Sequence, residues 1–142
     1  MASFVLTKDN IYFSKTSDSH EDIISECGLN RECIADIPQI VRVEIVPENN
    51  DYKLPIEKWI YRVDQDLLPV WYDSIECEAR TRAELREWYR CCIVATGEEI
   101  SELKGTDFRK IVFGTVREMR ENAQVREMWG SAQVRVMRGS AQ

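Results

Sequence analysis

Gly114-Thr-Val-Arg-Glu-Met-Arg-Glu-Asn122, Ala123-Gln-Val-Arg-Glu-Met-Trp-Gly-Ser131 and Ala132-Gln-Val-Arg-Val-Met-Arg-Gly-Ser140 are three copies of one nonapeptide, and Ala141-Gln142 begin a fourth. Three columns recur at a spacing of nine: Val116, Val125 and Val134; Arg117, Arg126 and Arg135; Met119, Met128 and Met137. Nine residues match neither a heptad nor the longer helical repeats, and the Gly-Ser or Asn after each apolar run supplies a turn. The segment therefore reads as β structure, in one of two geometries. Two nonapeptides per coil give a two-sided parallel β-roll, with Ala, Val and Met inward and Gly-Ser at the corners. Strands of about five residues joined by turns of about four give an antiparallel meander. The Gly-Gly-x-Gly-x-Asp pattern that holds calcium in some β-rolls is missing from these repeats, so no calcium is implied.

Upstream of the repeats the periodicity changes. Phe4–Leu6 and Ile11–Ser14 flank the turn-forming Lys8-Asp9-Asn10 and read as a hairpin. Ser19, followed by Glu21 and Asp22, caps a helix of about two turns that stops at Gly28. Ile40–Val46 alternates apolar and polar side chains and is β-branched, and Lys58–Asp64 repeats the pattern, so these two strands are expected side by side. The longest helix is expected from Ser74 to Thr96, since Glu76, Glu78, Ala79 and Arg82–Arg86 are good helix formers and Gly97 supplies a stop, and Ile75, Ala79, Leu85, Trp88, Tyr89 and Cys92 give one apolar face. The expected fold is α+β: a small antiparallel or mixed sheet packed by one long helix over residues 1–105, then a β-repeat region over 106–142 that Phe108–Phe113 leads into.

Composition bounds the chemistry. From Asp107 onward seven basic residues face four acidic ones, a balance of +3, so the first 106 residues carry −9 of the net −6. An acidic body disfavours direct nucleic-acid binding and favours a partner with a basic, nucleic-acid-binding surface. The five cysteines, Cys27, Cys33, Cys77, Cys91 and Cys92, form no CxxC pair, and the single His20 removes the usual zinc combinations, so neither a metal nor a cofactor is expected. The opening MASFVLTKDN carries no leader pattern and no apolar run is long enough to span a bilayer, which leaves a reducing cytoplasm as the expected compartment. His20 beside Ser17, Ser19, Glu21 and Asp22 reads as a helix start, not a triad. The glutamates of the long helix interleave with arginines and read as a salt-bridged face, and Cys91 and Cys92 read as small hydrophobes.

The combination of an N-terminal mixed domain containing KWIYRVDQDLLPVWYD with Ala-Gln-Val-Arg-Glu-Met-x-Gly-Ser repeats resembles a group of proteins carried by bacteriophages and mobile elements. The resemblance implies an accessory protein that binds and blocks a host complex in the bacterial cytoplasm, in the manner of counter-defence inhibitors. A self-assembling structural module and a small nucleic-acid-processing enzyme are the alternatives. No catalytic residues are expected. Trp129 stands in a column otherwise filled by Arg120 and Arg138, so it should face outward and, with Arg117, Arg126 and Arg135, touch a partner. The last repeat should leave a free β edge, through which Val125, Met128, Val134 and Met137 pair with their counterparts in a homodimer. Glu118 and Glu127 should relieve the arginine columns by pairing with Arg117, Arg126 or Arg135 on neighbouring strands.

Overall fold

The computed structural model describes residues 1–29, 33–34 and 37–142. It is a mixed α+β structure of two compact units, Met1–Trp88 and Tyr89–Gln142. The division falls inside a helix, upstream of the Gly105 boundary suggested by the sequence, because strands before Gly105 pair with those of the repeats.

In the first unit, strands β1 (Ala2–Leu6), β2 (Ile11–Tyr12), β5 (Val41–Val46) and β6 (Ile60–Val63) form an antiparallel sheet in the order β2-β1-β5-β6. The hairpin and the neighbouring pair are where the sequence suggests, with Val5 opposite Tyr12 and Ile45 opposite Tyr61. Two short strands, β3 (Cys33–Ile34) and β4 (Ile37–Pro38), pair separately. Every residue of β1 is buried, as a strand covered on both faces must be, while β5 buries only Val41, Val43 and Ile45. Helix α1 (His20–Glu26) begins where the Ser19 hydroxyl accepts from the Asp22 N–H, and Gly28 adopts a positive φ beyond its end. Ile23 and Ile24 of α1 pack with Val5 and Ile40, which puts α1 over the face that Val5 shares with Arg42.

Helix α2 (Ser74–Cys92) starts where Asp73 accepts from the Glu76 N–H. Its buried positions are Cys77, Thr81, Leu85, Trp88, Cys91 and Cys92, and all but Cys91 lie on one helical stripe. Leu85, Trp88 and Cys92 belong to the expected face, but Ala79 is exposed and Ile75 is 81% exposed. The stripe runs through Cys77, about half a turn around the helix from Ile75 and Ala79. Within the first unit α2 is tied to the segment before β6: Trp88 meets Trp59 edge-on at 6.1 Å, and Arg82 donates to the Trp59 carbonyl. Arg82 also pairs with Glu78 one turn back at 2.8 Å, as the interleaved charges suggest. The helix stops four residues short of Thr96, because β-branched Ile93 and Val94 leave it to pair with Ile111 and Val112. Gly97 serves instead as a left-handed turn residue.

The second unit holds six parallel strands: β7 (Ile93–Val94), β8 (Glu99–Leu103), β9 (Phe108–Val112), β10 (Thr115–Met119), β11 (Gln124–Met128) and β12 (Gln133–Met137). They alternate between two sheets, β12-β10-β8 and β11-β9-β7, each strand pairing with the next but one. Thr115 lies opposite Gln133, eighteen residues on, and opposite Glu99, sixteen back. Parallel pairing rules out the antiparallel meander. Val94 and Val112 of one sheet and Leu103, Val116 and Met119 of the other share one core with Ala123. Val and Met stand three apart and both point inward, with the exposed Arg117 and the partly buried Glu118 between them.

Each repeat turns at its eighth position, where Glu121, Gly130 and Gly139 have φ of 58°, 62° and 68°. Two copies place glycine there and the first strains a glutamate into the left-handed region. Gly114 is required for a different reason: a Cβ on it would lie 2.3 Å from the Glu98 carbonyl oxygen and 2.5 Å from that of Ala95. Glu121→Gly is therefore expected to stabilise the protein by about 1 kcal/mol, and Gly114→Ala to destabilise it by roughly 1–3 kcal/mol. Urea midpoints moving in opposite directions would bear this out; a Gly114→Ala protein as stable as the parent would contradict the close approach.

Candidate functional site

Two places concentrate groups able to recognise something. The first is the last pair of strands in the repeat unit. Met119 and Val112 are fully buried because a strand flanks them on each side. Met137 and Met128, their neighbours on β12 and β11, have a strand on one side only and are 53% and 46% exposed. Val125 and Val134, three residues earlier on the same edge strands, are partly buried against the core. Val136 adds to the apolar surface: it replaces the glutamate of the other two repeats and is 41% exposed. Gln142 bonds through its backbone to Ala123 and Val125, covering only the start of the β11 edge.

Trp129 is 53% exposed, as its column suggests, and its indole N–H donates to Glu127 at 2.9 Å. Arg120 makes the equivalent bond to Glu118 in the preceding repeat, also at 2.9 Å. Arg138, in the third repeat, has Val136 where that carboxylate would be and reaches across to Glu118 instead, again at 2.9 Å. Arg120 extends the ladder to Glu102 at 3.3 Å, and Arg117 pairs with Glu99. Glu118 thus pairs with Arg120 and Arg138, both in the seventh column of the repeat. Arg126 and Arg135 are exposed.

The second place is in the first unit, where His20, Glu44 and Asp64 bring one ligand atom each to within 4.8 Å of one another. His20 is the first residue of α1, Glu44 is on β5, and Asp64 follows β6, its N–H donating to the Arg42 carbonyl at 2.8 Å. The imidazole is buried. Its Nε2 lies 3.0 Å from the Val43 carbonyl, which can only accept, so Nε2 carries the hydrogen and Nδ1 is turned to Asp64 at 3.3 Å. Gln65 fixes the chain beyond: its amide nitrogen donates to the Ile40 and Leu67 carbonyls, and its oxygen accepts from the Arg42 N–H. Asp64 also lines a cavity of about 740 Å³ with Glu21, Ile24, Arg42, Asp66 and Leu67 among its walls. Residue spacing gives no hint of this cluster, since its members lie 20 or more positions apart.

Ser17 and Asp22 bond to each other and not to the histidine, so no serine–histidine–carboxylate relay forms. Cys91 and Cys92 are buried. Cys27 is exposed, but partial burial of its sulfur and the neighbouring Glu26 push its thiol up, away from the reactive thiolate. The thiol of Cys33 lies outside the described residues. Among the described residues no helix is long and apolar enough to cross a membrane. No family model matches this sequence, and no curated protein or solved structure matches it either.

The charge ladder carries a pH signature. The hydrogen bond from Arg120, reinforced by Arg138, holds the Glu118 carboxyl below its usual range. A carboxylate more acidic in the folded than the unfolded chain adds stability above its unfolded value and loses it as pH falls through the folded one. The melting-temperature gap between the parent and Glu118→Gln should therefore be constant down to about pH 5 and close below about pH 4. A gap that persists at about pH 2 would mean that Glu118 acts through packing and not through charge.

Proposed function

We propose that this chain is a non-enzymatic interaction protein, and that residues 89–142 form a short two-sided parallel β-roll whose last strands self-associate. The carrying observation is the exposure of Met128, Trp129, Val136 and Met137 on the two edge strands, at or beside columns that are buried one coil earlier. Unpaired strand edges bearing apolar side chains invite pairing with another chain. A two-fold contact between identical edges must run antiparallel and closes at two copies, whereas head-to-tail parallel stacking stays open and propagates. We favour the closed dimer. It hides both edges at once, and no charge of the ladder has to be buried. The acidic first unit then supports the second half of the reading, capture of a protein partner with a basic surface, which is how the block on a host complex implied by the resemblance would operate.

Sedimentation velocity of the full chain at high micromolar concentration should show a dimer. Met128→Glu with Met137→Glu should give a monomer with unchanged circular dichroism. A parent that stays monomeric sinks self-association; a dimer indifferent to the double substitution places the interface elsewhere; and species growing with concentration favour the open stack.

A further inference from the structure

His20, Glu44 and Asp64 converge from three separate elements, and we propose that they bind a first-row divalent cation of the zinc class. The donor set is one imidazole nitrogen and two carboxylate oxygens, the mixed set that suits such ions, and three protein ligands leave a position for water. Bonds of about 2.0–2.2 Å around a four-coordinate ion place its donors roughly 3.3–3.6 Å apart. The donor atoms here lie within 4.8 Å of one another and reach that spacing with about an ångström of side-chain movement. The division of labour fits: His20 is only 8% exposed and held, whereas Glu44 is half-buried and Asp64 exposed enough to adjust.

The bond from the buried His20 ring to the Val43 carbonyl carries the inference furthest. It comes from outside the cluster, fixes the tautomer, and leaves Nδ1 as the nitrogen aimed at the carboxylates, as the outer shell of a metal-bound histidine does. Two carboxylates beside one imidazole concentrate oxygen and nitrogen donors at one point. Of the nearby cations, Arg42 lies 3.7 Å from Glu21, and Arg62 is opposite Glu44 in the sheet register. The positive end of α1 opposes a cation, but it is a partial charge against two full ones. Asp64 opens the cluster to the adjoining cavity, which gives the ion a way in. Once bound, the ion would staple the start of α1 to β5 and to the chain leaving β6.

The competing reading is an ion-free cluster in which the His20 ring faces Asp64 directly. Calorimetric titration of zinc chloride into chelator-stripped full-length protein separates the two. Cys27→Ser is included throughout to remove the exposed thiol. One site is expected. Glu44→Gln and Asp64→Asn should each weaken it at least about tenfold at unchanged circular dichroism, while Glu57→Gln, at an exposed position outside the cluster, should leave it unaltered. Zinc should also raise the melting temperature of the parent and not of the Glu44→Gln, Asp64→Asn double variant, whose fold does not depend on removing the buried ring. No binding at millimolar zinc overturns the site in favour of the ion-free cluster. Binding that survives the double variant overturns it in favour of other ligands.

Discussion

Hydrogen bonding between strands that are next but one in sequence is the constraint on which the second unit rests. Such a ladder forms only if every strand presents its inward side chains at the same height as its neighbours two segments away. That is what the Val and Met columns achieve: Val116 falls between Ile100 and Val134, and Met119 between Leu103 and Met137. The turns serve the same end. A left-handed residue at the eighth position helps turn the chain within the four residues that separate one strand from the next. Charge is secondary here. Exposed ion pairs contribute little to stability, but a ladder that joins Glu102, Arg120, Glu118 and Arg138 penalises a slipped register, in which like charges would meet.

The fold was legible where local pattern and tertiary pairing agree. The hairpin, α1 with its serine cap, and the β5–β6 pair all follow from turn residues and alternation. The start of the parallel strands was not. Glu98-Glu-Ile-Ser-Glu-Leu-Lys-Gly-Thr106 fits the nonapeptide, with Ile100, Leu103 and Gly105 in the Val, Met and Gly columns, yet shares almost no identities with it. The seven residues 107–113 then break the period before Gly114, which accounts for the sixteen-residue offset upstream and the eighteen-residue one downstream. Reading columns for size and turn chemistry instead of identity would have found the first of these segments. Taking Gly97 as its stop sets the end of α2 too far on: the β-branched Ile93 and Val94 are poor helix formers, and the ladder takes them.

The candidate sites divide the same way. Trp129 was readable as exposed because a tryptophan among arginines in a repeat column has nowhere else to point. The pairing of Glu118 with the seventh column depends on which residues share a face, a matter of strand geometry that a list of columns does not contain. His20 was readable only as part of a helix start. Its partners arrive through the β1–β5–β6 registers and the packing of Ile23 and Ile24 on Val5, none of which is local.

Alternation between two sheets gives the repeat number a parity. Adding one nonapeptide would carry the terminal strand from the β12 sheet to the other, where its neighbour would be β11; adding two would restore the original arrangement one rung higher. Copies of nearly identical sequence are prone to gain and loss of whole units. Lineages that differ by an odd number of repeats would therefore display their last strand on opposite sides of the molecule, while those differing by an even number would keep the same terminal face at a different height.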